Sequence, residues 1–232
     1  MKLTLVMPSI GRKPGQGYIT TWQMEPLVLA LLAGLTPPEW EITIQDDRVE
    51  PIDYACPADL VGITVETYTA RRAYQIAAQY RRRGVKVVMG GYHATLFSRE
   101  VAEHADAVVV GEAEGIWGQV LNDAASGKLQ KTYLSERSQH LLGIMPNRRV
   151  YAGKKYLPLT LVEFSRGCRH VCNECSSCRF AVFSIRRGLS SPENSFFRGS
   201  PVCSLSSALS PLWKREFAGP DSRGPITKKL PL

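Results

Sequence analysis

Apolar residues along this chain come in short blocks broken by turn formers. Residues 2–7 are an apolar run of strand length, followed by a Gly- and Pro-bearing loop over 8–18. Residues 24–35 are apolar nearly all round, as in a buried helix, and Pro37-Pro38 stops it. Residues 41–45 alternate polar and apolar, which predicts a second strand ending at Asp46-Asp47. Residues 60–65 predict a third strand. Over 69–83, Ala70, Ala73, Ile76, Ala77 and Tyr80 recur at helical spacing with arginines between them, and Gly84 is placed to close the helix. Residues 85–89 are a continuous apolar strand, 98–104 a short helix, 107–110 a fifth strand and 112–125 a last helix.

Strands alternating with helices predict an α/β fold, a doubly wound parallel five-stranded sheet over residues 1–130, with right-handed crossovers. Unbroken apolar strands fit a sheet covered on both faces. Residues 131–160 read as a connector, with 151–159 as an extended arm. In such a sheet, ligands bind outside the carboxyl ends of the strands. The loops there carry Thr64 and Thr67 after the third strand, Gly90 and Gly91 after the fourth, and Gly111 after the fifth. Glycines admit a ligand close to the backbone, although a Gly-Gly pair alone is also an ordinary tight turn. His93 reads either as a metal or phosphate ligand or as a partly exposed loop histidine. No G-x-G-x-x-G follows the first strand and no G-x-x-x-x-G-K-[ST] occurs, which disfavours a dinucleotide or nucleoside triphosphate.

Composition adds a boundary. Of 232 residues, 44% are hydrophobic, enough for a core. The net charge of +8 is concentrated in residues 179–232, where nine Lys/Arg stand against three Asp/Glu. The basicity is thus a property of the tail and argues for no nucleic-acid partner. No apolar run has the length of a signal h-region or a membrane span, so the expected location is cytoplasmic. Four of the six cysteines fall within residues 168–178, which in a cytosolic chain favours metal over disulfides. Cys56 and Cys203 read as ordinary thiols.

Cys168, Cys172 and Cys175 are spaced C-x3-C-x2-C. Three thiolates on one loop can hold three irons of a [4Fe–4S] cube and leave the fourth open for chemistry. Cys178 extends the run as Cys172-x2-Cys175-x2-Cys178, which also fits a ferredoxin-type cluster or part of a zinc site.

Four stretches resemble the cobalamin-binding domain that precedes the catalytic domain in B12-dependent radical SAM enzymes. They are Asp46-Asp47-Arg48-Val49-Glu50-Pro51-Ile52-Asp53, Asp59-Leu60-Val61-Gly62-Ile63-Thr64-Val65-Glu66-Thr67, Val87-Val88-Met89-Gly90-Gly91-Tyr92-His93-Ala94-Thr95, and His104-Ala105-Asp106-Ala107-Val108-Val109-Val110-Gly111-Glu112-Ala113-Glu114. Residues 161–175 resemble that family's cluster loop, introduced by Glu163-Phe164-Ser165-Arg166-Gly167. Glu174 departs from it, standing where an aromatic residue precedes the third cysteine.

The resemblance implies a Rossmann-like domain with cobalamin over the strand ends, its nucleotide tail passing Thr64, Gly90 and Gly91, and Glu66 and Tyr92 as loop contacts. No D-x-H-x-x-G occurs, so cobalt is expected without a protein histidine ligand. It implies a [4Fe–4S] cluster on Cys168, Cys172 and Cys175 whose open iron chelates S-adenosylmethionine, generating a 5′-deoxyadenosyl radical. The activity would be methyl transfer to an inert carbon or oxidative cyclisation of a small-molecule substrate, with electrons from an external donor such as flavodoxin or ferredoxin. The alternative is a stand-alone cobalamin-binding module or carrier without catalysis.

The family's barrel would follow the cysteines. Residues 161–178 read as its start, and residues 179–232 as an irregular tail with ten Ser, six Pro and four Gly and no sustained period. The expectation is a truncated, inactive form, through a shifted reading frame near 173–180 or a genuine disordered extension.

Overall fold

The computed structural model describes residues 1–11, 23–135 and 144–163. Among these, β1 (Lys2–Met7), β2 (Glu41–Asp46), β3 (Leu60–Thr64), β4 (Lys86–Gly90), β5 (Ala107–Val110) and β6 (Thr132–Leu134) make one sheet in the order β2-β1-β3-β4-β5-β6. Every pairing is parallel. The helices are α1 (Leu27–Leu35), α2 (Ala70–Arg82), α3 (Tyr92–Leu96), α4 (Ser98–His104) and α5 (Trp117–Ala125).

Successive side chains of a strand point to opposite faces, and here they enter two separate cores. Leu3, Leu5, Leu60, Val88, Ala107 and Val109 pack with residues of α1 and α5. Val6, Val61, Ile63, Val87, Met89 and Val108 pack with Ala73, Ile76, Ala77 and Tyr80 of α2 and with Ala94 and Val101 of α3 and α4. Gly62 belongs to the first face, where a Cβ would stand 3.0 Å from Leu5 and 3.4 Å from the Trp117 ring. Its bareness lets Trp117 lie on the sheet, and the indole N–H then donates to the Thr36 hydroxyl. The doubly wound parallel sheet expected from the pattern is therefore present.

Two elements differ from the expectation. The sheet has a sixth strand rather than five, because Thr132–Leu134 pairs with β5. Three residues with one inward side chain, Tyr133, carry no readable period; pairing alone makes them a strand. The segment after β4, expected as a loop, turns into α3 directly after Gly91.

Residues 144–163 return along α1 and the β2 edge. The Asn147 N–H donates to the Ala30 carbonyl, and the Tyr151 hydroxyl to the Pro26 carbonyl. Lys154 pairs with Glu50, the Tyr156 hydroxyl donates to Asp46, and the Leu157 N–H to the Gln23 carbonyl. Arg148 pairs with Glu25 and donates to the Leu161 carbonyl. The strap thus runs from the carboxyl end of α1 to its amino end. In a β/α crossover that amino end lies at the carboxyl edge of the sheet, so the chain is led to the edge where ligands bind. The tail beyond residue 163 lies outside the described residues.

Gly34 is where the strap crosses α1, and a Cβ there would collide with the Met145 carbonyl. Alanine is the better helix former by about 1 kcal/mol, so propensity alone favours Gly34→Ala. The crossing reverses the sign: urea denaturation should show the variant less stable than the parent.

Candidate functional site

The strand order reverses at β1, between β2 on one side and β3 on the other. At such a switch point the flanking loops diverge and leave a crevice. The strand ends beside it carry a buried polar network. Asp46 ends β2 and Asp47 follows it, with relative exposures of 0% and 1%. Arg72, in the first turn of α2, grips Asp47 through Nε and Nη2, both at 2.8 Å. The Ser9 hydroxyl, after β1, donates to the same carboxylate. Arg48 holds Asp46 through Nε at 2.9 Å and Nη2 at 2.7 Å, and the Tyr156 hydroxyl adds a third contact at 2.9 Å. Burial pushes the Asp47 carboxyl up, but Arg72 and Ser9 together outweigh it and hold the group below its ordinary value. Composition and periodicity singled out none of Ser9, Arg72 and Tyr156; the one available signal was an Asp-Asp pair at a strand end.

The loops after β3 and β4 are laced together. The Val65 N–H donates to the Gly90 carbonyl, and the His93 N–H to the Val65 carbonyl. Gly91 has φ 101°, and a Cβ would lie 3.0 Å from both Val65 N and O and 3.1 Å from the Thr64 hydroxyl oxygen. The space its missing side chain leaves is thus filled by the end of β3. Gly90 has ordinary clearance, its nearest neighbour being Val109 at 3.5 Å. Gly111, φ 87°, donates its N–H to the Thr95 hydroxyl, which itself donates to the Gly91 carbonyl. Thr64 is buried, Thr67 exposed, and Glu66 and Tyr92 partly buried. Burial pushes the Glu66 carboxyl up, and His93 partly offsets that.

His93 is neither exposed nor on a loop. It sits in α3 with 5% exposure, its ring 4.8 Å from the Phe97 ring. Nε2 lies 3.1 Å from the Tyr74 hydroxyl and Nδ1 3.3 Å from the Thr67 hydroxyl. Tyr74 also donates to Glu100 at 2.9 Å and stacks on His104, with ring centroids 3.9 Å apart. Both ring nitrogens of His93 are therefore engaged by protein groups.

Two apolar side chains flank the crevice: Ile10, 75% exposed after β1, and Tyr68, 63% exposed after β3. The same edge carries the buried hydroxyl residues Ser9 and Thr64 and the exposed Thr67. Among the described residues no group of three or more His, Cys, Asp or Glu is placed to hold a metal. Cys168, Cys172 and Cys175 lie outside the described residues. No helix among the described residues is long and apolar enough to cross a membrane.

Residues 24–121 match the B12 binding domain family model. The chain is 36% identical over 165 residues to bacteriochlorophyllide d C-8(2)-methyltransferase of Chlorobaculum tepidum, an alignment covering 66% of this chain and 36% of that protein. It is 29% identical over 160 residues to the C-12(1)-methyltransferase of the same organism, covering 66% and 35%. It is 27% identical over 168 residues to the anaerobic magnesium-protoporphyrin IX monomethyl ester cyclase of Rubrivivax gelatinosus, covering 59% and 30%. The chain thus spans about a third of the length of these relatives.

Because the folded Asp47 carboxyl is held below its unfolded value, its contribution to stability is full above the ordinary carboxylate pKa of about 4 and disappears as pH falls through the lowered value. Acid denaturation monitored by circular dichroism should therefore be steeper below about pH 4 in the parent than in Asp47→Asn. Arg72→Ala strands a buried carboxylate and should cost about 3–5 kcal/mol at neutral pH by chemical denaturation.

Proposed function

From the match of residues 24–121 to the B12 binding domain family model we propose that the switch-point edge holds a cobalamin in a radical S-adenosylmethionine protein. The observation that carries the reading is the coincidence of that family match with a crevice whose loops come from β1, β3, β4 and β5. When bound, such a cofactor supplies methyl transfer or redox chemistry that no amino-acid side chain can.

This chain's residues would bind and orient it. Thr64, Gly90 and Gly91 form the laced floor between β3 and β4. Thr67 offers a hydroxyl at the rim, with Glu66, Tyr92 and Gly111 on the neighbouring loops. Ile10 and Tyr68 would cover apolar surface and keep water from it. With both its ring nitrogens engaged, His93 would stand as a wall rather than a cobalt ligand.

Cys168, Cys172 and Cys175 would hold a [4Fe–4S] cluster able to take S-adenosylmethionine at its open iron. The strap supports their placement, since its Leu161 carbonyl is held by Arg148 beside Glu25. From Glu163 to Cys168 an extended chain reaches at most about 18 Å, so the cluster would lie within reach of the same edge. The named relatives act on tetrapyrroles, which supports a small-molecule substrate of that chemical class and methylation or ring closure as the reaction.

The test is stepwise. The anaerobically purified chain titrated with hydroxocobalamin should retain it through gel filtration, and the cob(II)alamin EPR signal should lack the splitting of a histidine nitrogen. After reconstitution with iron and sulfide, the parent and not Cys168→Ala should give a [4Fe–4S] signal and release 5′-deoxyadenosine from S-adenosylmethionine. Retained cobalamin with neither signal would make the chain a cobalamin-binding module. Failure to retain cobalamin would overturn the proposal.

A further inference from the structure

Four side chains form an unbroken hydrogen-bonded series across the edge of the fold: Thr67, His93, Tyr74 and Glu100. Donor chemistry sets its direction. A carboxylate only accepts, so the single Tyr74 O–H is spent on Glu100, 2.9 Å away. The Tyr74 oxygen must then accept from His93 Nε2, 3.1 Å away. A neutral imidazole with its proton on Nε2 leaves Nδ1 as an acceptor. The group facing Nδ1 at 3.3 Å is the Thr67 hydroxyl, which therefore donates inward. The consequence lies outside: the Thr67 oxygen, at an exposed residue, presents lone pairs and no proton to the ligand edge.

We infer that His93 is a positioning residue that makes Thr67 a hydrogen-bond acceptor, selecting a ligand N–H group such as a carboxamide on the rim of the macrocycle. The inference rests on the cobalamin reading, whose corrin carries amide side chains around an apolar ring. Burial of His93 at 5% exposure keeps water from competing for its nitrogens. Tyr74 is kept in place by stacking on His104, and burial together with Glu100 pushes its hydroxyl well above the ordinary tyrosine range. It stays a proton donor to Glu100 throughout the working range, which fixes the polarity of the series.

Two measurements test this on the full chain. The first needs no cofactor: 15N NMR of the histidine side chains, with the His93 signal assigned by its loss in His93→Phe or His93→Gln. The Nε2–H tautomer is expected, and the Nδ1–H tautomer overturns the inference. The second is a double-mutant cycle read as affinity for hydroxocobalamin. Thr67→Val should weaken binding about 3–10-fold, the worth of one hydrogen bond, and Thr67→Ser should bind as the parent does. His93→Phe should weaken it to a similar extent, and the double variant should be no weaker than Thr67→Val alone. A purely structural role for His93 would give independent, multiplying losses and overturns the inference. So does parent-like binding by His93→Phe. If His93→Phe does not fold by circular dichroism, Tyr74→Phe takes its place in the cycle, since it removes the acceptor for Nε2–H while keeping the ring. A parent chain that binds no cobalamin removes the premise instead, and the tautomer then reports separately on the series.

Discussion

The parallel sheet governs everything else in this fold. Parallel strands cannot be joined by a tight turn, so each connection must cross a face, and both faces end up covered. Here the crossovers put α1 and α5 against one face and α2, α3 and α4 against the other, and alternate residues of each strand feed the two cores. Main-chain pairing and side-chain burial thus demand the same register. A slip of one residue would exchange the two sets of side chains, setting Leu5 against α2 and Val6 against α1. The same constraint sends every strand's exit to one edge, which is why residues far apart in sequence converge there.

That edge is held by charge as well as by apolar packing. Asp46 and Asp47 are buried where the strand order reverses; Asp47 is paired with Arg72 of α2, and Asp46 with Arg48 two residues on in the same turn. Burying a carboxylate is unfavourable unless it is paired and hydrogen-bonded, so the Arg72–Asp47 pair commits the end of β2 and α2 to one arrangement. Tyr156 ties the strap to Asp46, and Tyr151 ties it to the start of α1. The strap is therefore a folded part of the sheet domain over the described residues, and it leads the chain to the side where the ligand loops open.

Within the edge, polar groups divide into those that shape the floor and those that face outward. Val65 and Gly90 lace β3 to β4, and Gly111 is tied back through Thr95. These contacts explain the glycines by backbone approach within the protein itself. Thr67, Tyr68 and Ile10 remain at the surface, on the loops after β3 and β1.

The α/β class, five of the six strands and most helix positions were legible in the sequence because burial imposes a period of two or of 3.6 on any element packed against a face. The Gly-Gly step, the cysteine spacing and the family resemblance were legible too, since they are local in the chain. β6 was not, because three residues become a strand only when β5 supplies the partners. Nor was the burial of His93, which depends on Tyr74 of α2 and Thr67 after β3 arriving from separate elements. The pairing of Arg72 with Asp47 and of Tyr156 with Asp46 spans 25 and 110 positions. By itself the sequence determined the alternation of elements and the chemistry each loop carries. Only the tertiary structure decided which of those groups meet, because hydrogen bonds and charge pairs act over a few ångströms, and it is the crossovers of the sheet that bring distant residues within that range.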